Sequence, residues 1–248
     1  LAIPTAGFLI RIFIFFHDCG HNSYLPSTQW NRRIGFWLGV LTFTPGAQWW
    51  RSHAIHHATS GNLDKRGVGD VMTLTVDEYQ KLSVWGKVGY RIFRHPAVMF
   101  LFGPIWMFVI QNRWPIIRHG KRETMSVVWT NLAIIAMATG ISLLIGFKNY
   151  VLIQLPVIWM AGMAGIWLFY IQHQFQGVYW ARSQEWDYVA SAFKGASYYK
   201  LPKALQWFSG NIGFHHIHHL NPRVPNYNLE KAYRSDELLR KSPTLDIR

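Results

Sequence analysis

The chain has 248 residues, enough for one domain with a substantial core, and we predict a single domain over 1–248. Half of the residues are hydrophobic and only 15% are charged, against roughly a quarter in soluble domains, so the composition favours a membrane protein. The formal net charge is +13, but the basic residues are dispersed among predicted loops, which argues against a nucleic-acid partner. The single cysteine excludes an intramolecular disulfide.

The first predicted element is an apolar helix over 1–16 that ends at a histidine pair. His17 and His21 are four residues apart, so on a helix they share one face. A crossing helix needs roughly 20 apolar residues, so we expect this helix to continue before Leu1. Cys19 lies between the two histidines, and we expect it to be a packed thiol rather than a ligand.

The second apolar stretch, over 34–48, is short and is interrupted by glycine and proline. It is predicted to be an interfacial or re-entrant element because it cannot cross the hydrocarbon layer alone. It leads into a second histidine cluster formed by His53, His56 and His57. Their spacing again directs imidazoles towards a common region beside a helix.

Two longer apolar segments, 127–147 and 150–171, are each long enough to cross a membrane. We predict that they form a helical hairpin with a turn around Lys148 and Asn149. A shorter stretch over 97–111, which a glycine–proline pair interrupts, is predicted not to cross alone. An even number of crossings then keeps all histidine clusters on one side of the membrane. The loops on that side carry many arginines and lysines, so the positive-inside rule predicts a cytoplasmic location.

The third histidine cluster follows the hairpin and contains His215, His218 and His219. His216 projects about 100° away from its neighbour on a helix, so we predict a supporting position rather than a ligand. His173 emerges from the end of the last crossing segment, where it is predicted to be a ninth ligand.

Together, the clusters predict a metal centre, since neutral imidazole binds iron, copper, zinc and nickel. Their nitrogens exceed what one such ion accepts, which favours two ions. The predicted ligands are His17, His21, His53, His56, His57, His173, His215, His218 and His219. Metal-bound histidines usually donate their second ring N–H to a carboxylate or carbonyl. Asp18 and Asp70 are the first candidates for this supporting role, and Asn211 is a third. His95 and His119 are predicted to lie outside the site.

The clusters resemble those of the membrane fatty acid desaturase family, whose pattern is H-x(3,4)-H, H-x(2,3)-H-H and H-x(2,3)-H-H around a membrane hairpin. The segments 53–70, 167–173 and 210–220 look most like bacterial acyl-lipid desaturases, and among these the delta-5 phospholipid desaturases of Gram-positive bacteria. The resemblance covers nearly the whole chain. It implies that the first helices and the C-terminal tail of the family are missing from this sequence.

The resemblance implies an all-α integral membrane protein with a cytoplasmic helical cap that carries a histidine-rich di-iron site. It implies O2-dependent introduction of a cis double bond into the acyl chain of a membrane phospholipid. The expected cofactors are two iron ions, Fe2+/Fe3+, and the expected partner is a soluble electron donor such as ferredoxin or flavodoxin. The expected location is the bacterial inner (plasma) membrane.

Two alternatives remain open at this point. A histidine-box di-iron hydroxylase of a lipid, alkane or carotenoid would share the same ligand pattern. A membrane metal-binding or transport protein would also need clustered histidines, but the predicted hairpin contains no ladder of acids or histidines of the kind that an ion pathway requires.

Overall fold

The structure is a computed structural model that describes residues 1–116 and 118–247. In this described part the chain forms eleven α-helices and two very short strands. The helices are α1 (Ala2–Gly20), α2 (Thr28–Leu41), α3 (Gly46–Thr59), α4 (Val76–Gln80), α5 (Val84–Arg94), α6 (Lys121–Ile145), α7 (Phe147–His173), α8 (Tyr188–Lys194), α9 (Lys203–Phe208), α10 (His215–Leu220) and α11 (Asn226–Ser235). The strands β1 (Tyr198–Tyr199) and β2 (Thr244–Leu245) pair in parallel, with Tyr198 opposite Thr244.

Three helices, α1, α6 and α7, are long and apolar enough to cross a membrane. Helix α7 packs against both α1 and α6, so these three form the centre of the membrane part. Helices α2 and α3 have 14 residues each. At about 1.5 Å per residue they are too short to cross a hydrocarbon layer of about 30 Å. The prediction of an all-α membrane protein is confirmed.

The turn of the α6–α7 hairpin lies at Gly146, earlier than the predicted turn around Lys148 and Asn149. Gly146 has φ +86°, a left-handed conformation that glycine adopts without a side-chain clash. The side chain of Asn149 already belongs to α7 and donates a hydrogen bond to the Ile145 carbonyl, 2.7 Å away. The helix therefore restarts directly after the glycine.

The segment after α5 continues as two π-helical stretches, Val98–Phe102 and Ile105–Ile110. The bend of 60° in this region lies between α5 and the first of them, not at the Gly103-Pro104 pair where the sequence predicts a break. His95 is extended there, with ψ 129°, because a following proline disfavours the helical conformation. By length and composition, the bent pair is a broken span or a re-entrant loop.

Close packing around one indole ring fixes the helices that carry the first two histidine clusters. Trp50 of α3 donates its Nε1–H to the Phe16 carbonyl of α1, at 3.1 Å. A Cβ atom added to Gly20 would lie 2.2 Å from this ring, and one added to Gly35 would lie 2.7 Å from it. Small residues at these positions therefore allow α1, α2 and α3 to approach one another closely.

Candidate metal centre

The histidines of the first two clusters lie at the C-terminal ends of helices. His17 is in the last turn of α1 and His21 follows as its C-cap. The second cluster occupies the last two turns of α3. Since α1 packs on α3, both clusters are brought to the same end of the membrane bundle.

The third cluster forms most of α10, which has only six residues. Such a short helix is not stable alone, so it depends on packing. Ile217 on its opposite side is buried in a small core with Phe214 and Leu229. This core holds the histidine face of α10 towards α1, α3 and the end of α7, where His173 is the last helical residue.

The nine predicted ligand histidines form two adjacent groups. Within each group, one ring nitrogen from every histidine lies within 4.8 Å of the others. The first group contains His17, His21, His53, His57 and His218, and the second contains His56, His173, His215 and His219. All nine are buried except His21, which is partly buried.

The separations between ring nitrogens match those of ligands that share an ion. His53 Nε2 lies 3.1 Å from His57 Nε2 in the first group. In the second group, His173 Nε2 lies 3.2 Å from His56 Nε2 and 2.8 Å from His215 Nε2. When two imidazole nitrogens each lie about 2.1 Å from one metal ion and the N–metal–N angle is about 90°, the nitrogens are about 3.0 Å apart. Each group therefore fits one metal ion.

Several of these nitrogens are buried without a protein partner. The Nε2 atoms of His21, His218 and His219 have no hydrogen-bond partner among residues 1–116 and 118–247. An unsatisfied buried nitrogen costs roughly 1–3 kcal/mol, which a metal bond removes. The donor set thus fits a metal, and it consists of nitrogen ligands only, which iron, zinc and copper accept.

Burial keeps the imidazoles neutral, as metal ligands must be. Desolvation by burial lowers the pKa of His53 and His57 well below the usual 6.5, and repulsion between neighbouring imidazolium charges lowers it further. The pKa values of His215, His218 and His219 are lowered in the same way. At neutral pH the lone pairs of these rings are therefore available to a metal.

Hydrogen bonds set the orientation of at least two of the rings. His17 Nδ1 lies 3.0 Å from the buried carboxylate of Asp18, which accepts a hydrogen bond from Nδ1–H and leaves Nε2 free to face a metal. The second oxygen of Asp18 accepts hydrogen bonds from the backbone N–H of Asn226, at 2.7 Å, and from its side-chain amide, at 2.8 Å. His173 donates Nδ1–H to the Gly195 carbonyl at 3.1 Å, which fixes its Nε2 in the same way.

The other predicted supporting residues are further from the ligands. Asn211 donates to the Asn226 carbonyl at 3.0 Å, so it supports the residue that holds Asp18. Asp70 lies beside His56 in a small cleft, and its carboxylate accepts a hydrogen bond from the Gly67 N–H at 2.8 Å. The supporting roles of Asn211 and Asp70 remain predictions.

The histidines that were predicted not to be ligands lie outside both groups. His216 donates Nε2–H to the Leu239 carbonyl at 2.7 Å, which ties α10 to the C-terminal segment. His95 accepts a hydrogen bond from the Ala97 N–H at 3.3 Å. His119 lies near Arg51 before α6. Within the described residues, the two groups include none of the three.

Three contacts of the centre were not predicted from the sequence. Asn226 is 208 residues from Asp18, and nothing in its local sequence indicates the contact. The Gly195 carbonyl is a backbone atom, which sequence patterns do not reveal. Trp49 stacks on His53 with ring centroids 4.4 Å apart, and its position four residues before this histidine could have indicated a shared helix face.

The fold and the paired histidine groups define a membrane protein with a buried polyhistidine site that fits metal ions. The family model described as "Fatty acid desaturase" matches residues 1–245, and the chain therefore belongs to the fatty acid desaturase family. Membership confirms the predicted enzyme class, an oxidoreductase. It also confirms the family resemblance predicted from the histidine spacing.

Individual relatives agree with this family. The chain is 48% identical to a fatty acid desaturase of Bacillus subtilis, over the whole chain and 70% of that protein. It is 25% identical to an endoplasmic reticulum omega-3 fatty acid desaturase of Vigna radiata, over 94% of the chain and 63% of the relative. It is 24% identical to an sn-1 oleoyl-lipid 12-desaturase of Picosynechococcus, over 93% of the chain and 66% of the relative.

Proposed function

We propose that the protein introduces a cis double bond into the acyl chain of a membrane lipid, using O2 and two iron ions. The observation that carries this proposal is the pair of adjacent histidine groups, buried at the ends of apolar helices. In this proposal, all nine predicted ligands hold iron, five in the first group and four in the second. Bound iron would supply the activation of O2.

The chain's own residues orient the ligands and border the reaction space. Asp18 and Asn226 hold the His17 ring, and the Gly195 carbonyl holds His173. Aromatic rings lie against both groups: Trp49 stacks on His53, and the Phe169 ring centroid is 5.1 Å from that of His56. These rings give an acyl chain an apolar border and exclude water beside the centre. Positioning of this kind decides which methylene group reacts.

The lipid-linked substrate is inferred from the membrane helices and the relatives. The Picosynechococcus relative is named as an enzyme of oleoyl lipids, and a relative from Nostoc is named as an sn-1 acyl-lipid omega-3 desaturase (ferredoxin). We infer that this chain likewise takes acyl chains of membrane phospholipids, and electrons from a soluble donor such as ferredoxin or flavodoxin. The excess of basic residues in the loops beside the clusters supports a cytoplasmic centre in a bacterial plasma membrane.

The test is the fatty acid profile of a bacterium that lacks desaturases and expresses the gene, with double bonds located by mass spectrometry. New cis-unsaturated chains are expected with the unaltered protein and not with a His53→Ala control at equal membrane abundance. Hydroxylated chains in place of unsaturated ones would show a hydroxylase instead. Metal uptake into vesicles without O2 consumption would show a transporter.

A further inference from the structure

A second cavity lies outside the two histidine groups, at the end of the bundle where α6 begins. Its volume is about 300 Å³, and its walls come from the C-terminal end of α1, the first two turns of α2 and α3, and the first turn of α6. This volume is at the lower end of the range for small-molecule sites, roughly 300–1,000 Å³. A small chemical group therefore fits there.

The walls of the cavity are strongly basic. Arg32, Arg51 and Arg122 line it from three different helices. In the part of the chain that the structure describes, Glu123 is the one carboxylate in the wall, and it lies 3.6 Å from Arg51. Three guanidinium groups against one carboxylate leave an excess of two positive charges. The planar guanidinium fork matches the oxygens of a phosphate group, to which it donates paired hydrogen bonds.

The depth of the cavity in the membrane agrees with a lipid phosphate. Arg122 is the second residue of α6, a helix that is apolar enough to cross the membrane, so the cavity lies near one membrane surface. Trp30 and Trp37 of α2 are 54% and 63% exposed, as expected for tryptophans in the interfacial layer. Phosphate groups of phospholipids occupy this same layer, and basic side chains at this level attract them.

The cavity is lined by two of the helices that also carry the first histidine group, α1 and α3. Cys19 and Gly20 line it and lie in sequence between the ligand positions His17 and His21. Arg51 precedes His53 by two residues on α3. A phosphate bound here is therefore held on α1 and α3, the helices that carry four of the five histidines of the first group.

We propose that Arg32, Arg51 and Arg122 bind the phosphate of the phospholipid whose acyl chain enters the metal centre. This inference rests on the proposed desaturation of lipid-linked chains and names the group that anchors the substrate. With the phosphate fixed, the reacting carbon is selected by its distance from the head group. The same arginines would also attract free phosphate, so the source of the anion has to be tested.

The experiment measures retention of lipid by the purified protein, using mass spectrometry of the intact complex released from nanodiscs. Phosphatidylglycerol is compared with a phosphate-free diglucosyl diacylglycerol of the same acyl chains. The unaltered protein is expected to retain the phospholipid at least tenfold better. Arg122→Gln is expected to lower this retention about tenfold, the effect of losing one charge-assisted contact. Equal retention of both lipids by the unaltered protein would overturn the proposal.

A matched control and a variant that is expected to raise lipid retention strengthen the test. Arg33→Gln removes the same charge from a position on α2 that does not line the cavity, where the arginine stacks on Trp30, and is expected to leave retention unchanged. Glu123→Gln removes the competing carboxylate and is expected to raise retention severalfold. Arg51→Gln is tested together with Glu123→Gln, because alone it leaves a buried carboxylate without its partner. Thermal unfolding of each variant verifies that it folds.

Two further measurements separate the alternatives. If inorganic phosphate displaces phosphatidylglycerol at equal concentration, the site binds free phosphate and the lipid assignment is wrong. Lipid retention and fatty acid products are scored separately. If phosphatidylglycerol is retained preferentially but no unsaturated product forms, the phosphate site is supported as a lipid-binding site and the proposed desaturation is contradicted. If unsaturated products form but Arg122→Gln and Arg33→Gln retain phosphatidylglycerol equally, the phosphate site is contradicted and the proposed desaturation is not.

Discussion

The substitution Asp18→Asn tests the orientation of the first histidine group. The Asp18 carboxylate accepts hydrogen bonds on both sides: one oxygen accepts from the Nδ1–H of His17, and the other accepts two hydrogen bonds from Asn226. An asparagine has one acceptor oxygen and one NH2 group. If the asparagine oxygen faces Asn226, its NH2 group faces the His17 N–H, so two donors meet. In the opposite orientation of the amide, the NH2 group faces the two donors of Asn226 instead.

The size of the effect follows from the bond that is lost. A hydrogen bond to a charged group contributes about 1.5–3 kcal/mol. At about 1.4 kcal/mol per tenfold change, this corresponds to roughly 10–100-fold weaker metal binding. The same range is usual when a group behind a metal-bound histidine is removed. The loss should fall on the first group, because the four histidines of the second group do not contact Asp18 in the described structure.

The assay is an anaerobic Fe2+ titration of metal-free protein, followed by measurement of bound iron after gel filtration. Asp18→Asn is expected to lose the iron ion of the first histidine group, and to retain one iron per chain under conditions in which the unaltered protein retains two. Asp64→Asn is the matched control, since it removes a carboxylate that pairs with Arg182 at the surface. If Asp18→Asn binds two iron ions as tightly as this control, the orienting role of Asp18 is refuted.

His218→Ala and His219→Ala affect neighbouring residues of different groups, and each is expected to abolish new unsaturated chains in the expression assay; a variant with normal product would remove its residue from the site. The metal-free protein is expected to lose stability as the pH falls below about 6.5, because burial lowers the pKa of His216 to about 4 and the unfolded chain then binds the extra proton. His216 alone contributes about 2 kcal/mol of this loss at pH 5. Thermal unfolding in detergent measures the loss, and a stability that rises towards pH 5 would contradict this prediction. Gly162→Ala is expected to destabilise the protein by about 1–3 kcal/mol, because its Cβ would lie 2.8 Å from Pro104. Gly165→Ala, with no atom within 4 Å in the described structure, should unfold at the unaltered temperature or slightly above it, because alanine favours the helix more than glycine does.

The histidine clusters were predictable because their spacing is a local property of helices. The division between the groups was not, although its physical basis is simple. His56 and His57 are adjacent and therefore point about 100° apart, so they belong to different groups, as do His218 and His219. Which group each one joins depends on the rotation of α3 and α10 against the other helices. That rotation is set by packing, such as the close approach of Gly20 to the Trp50 ring.

Tertiary contacts over long sequence separations were also beyond prediction. The Asp18 carboxylate was expected to support a ligand, and the structure places it against His17, yet its second partner comes from α11 at the far end of the chain. The turn of the hairpin was misplaced for a different reason. The polar pair after Gly146 suggested a loop, but the backbone turns at the glycine, and the polar side chains begin the next helix.

In the proposed enzyme, two adjacent groups of neutral histidines hold two iron ions. The most direct measurement is the iron content of the protein, purified without O2 from cells supplied with iron, together with that of His218→Ala and His219→Ala. We expect two iron ions per chain in the unaltered protein and no more than one in each variant. A single ion per unaltered chain, or two ions retained by both variants, would contradict the two-group centre.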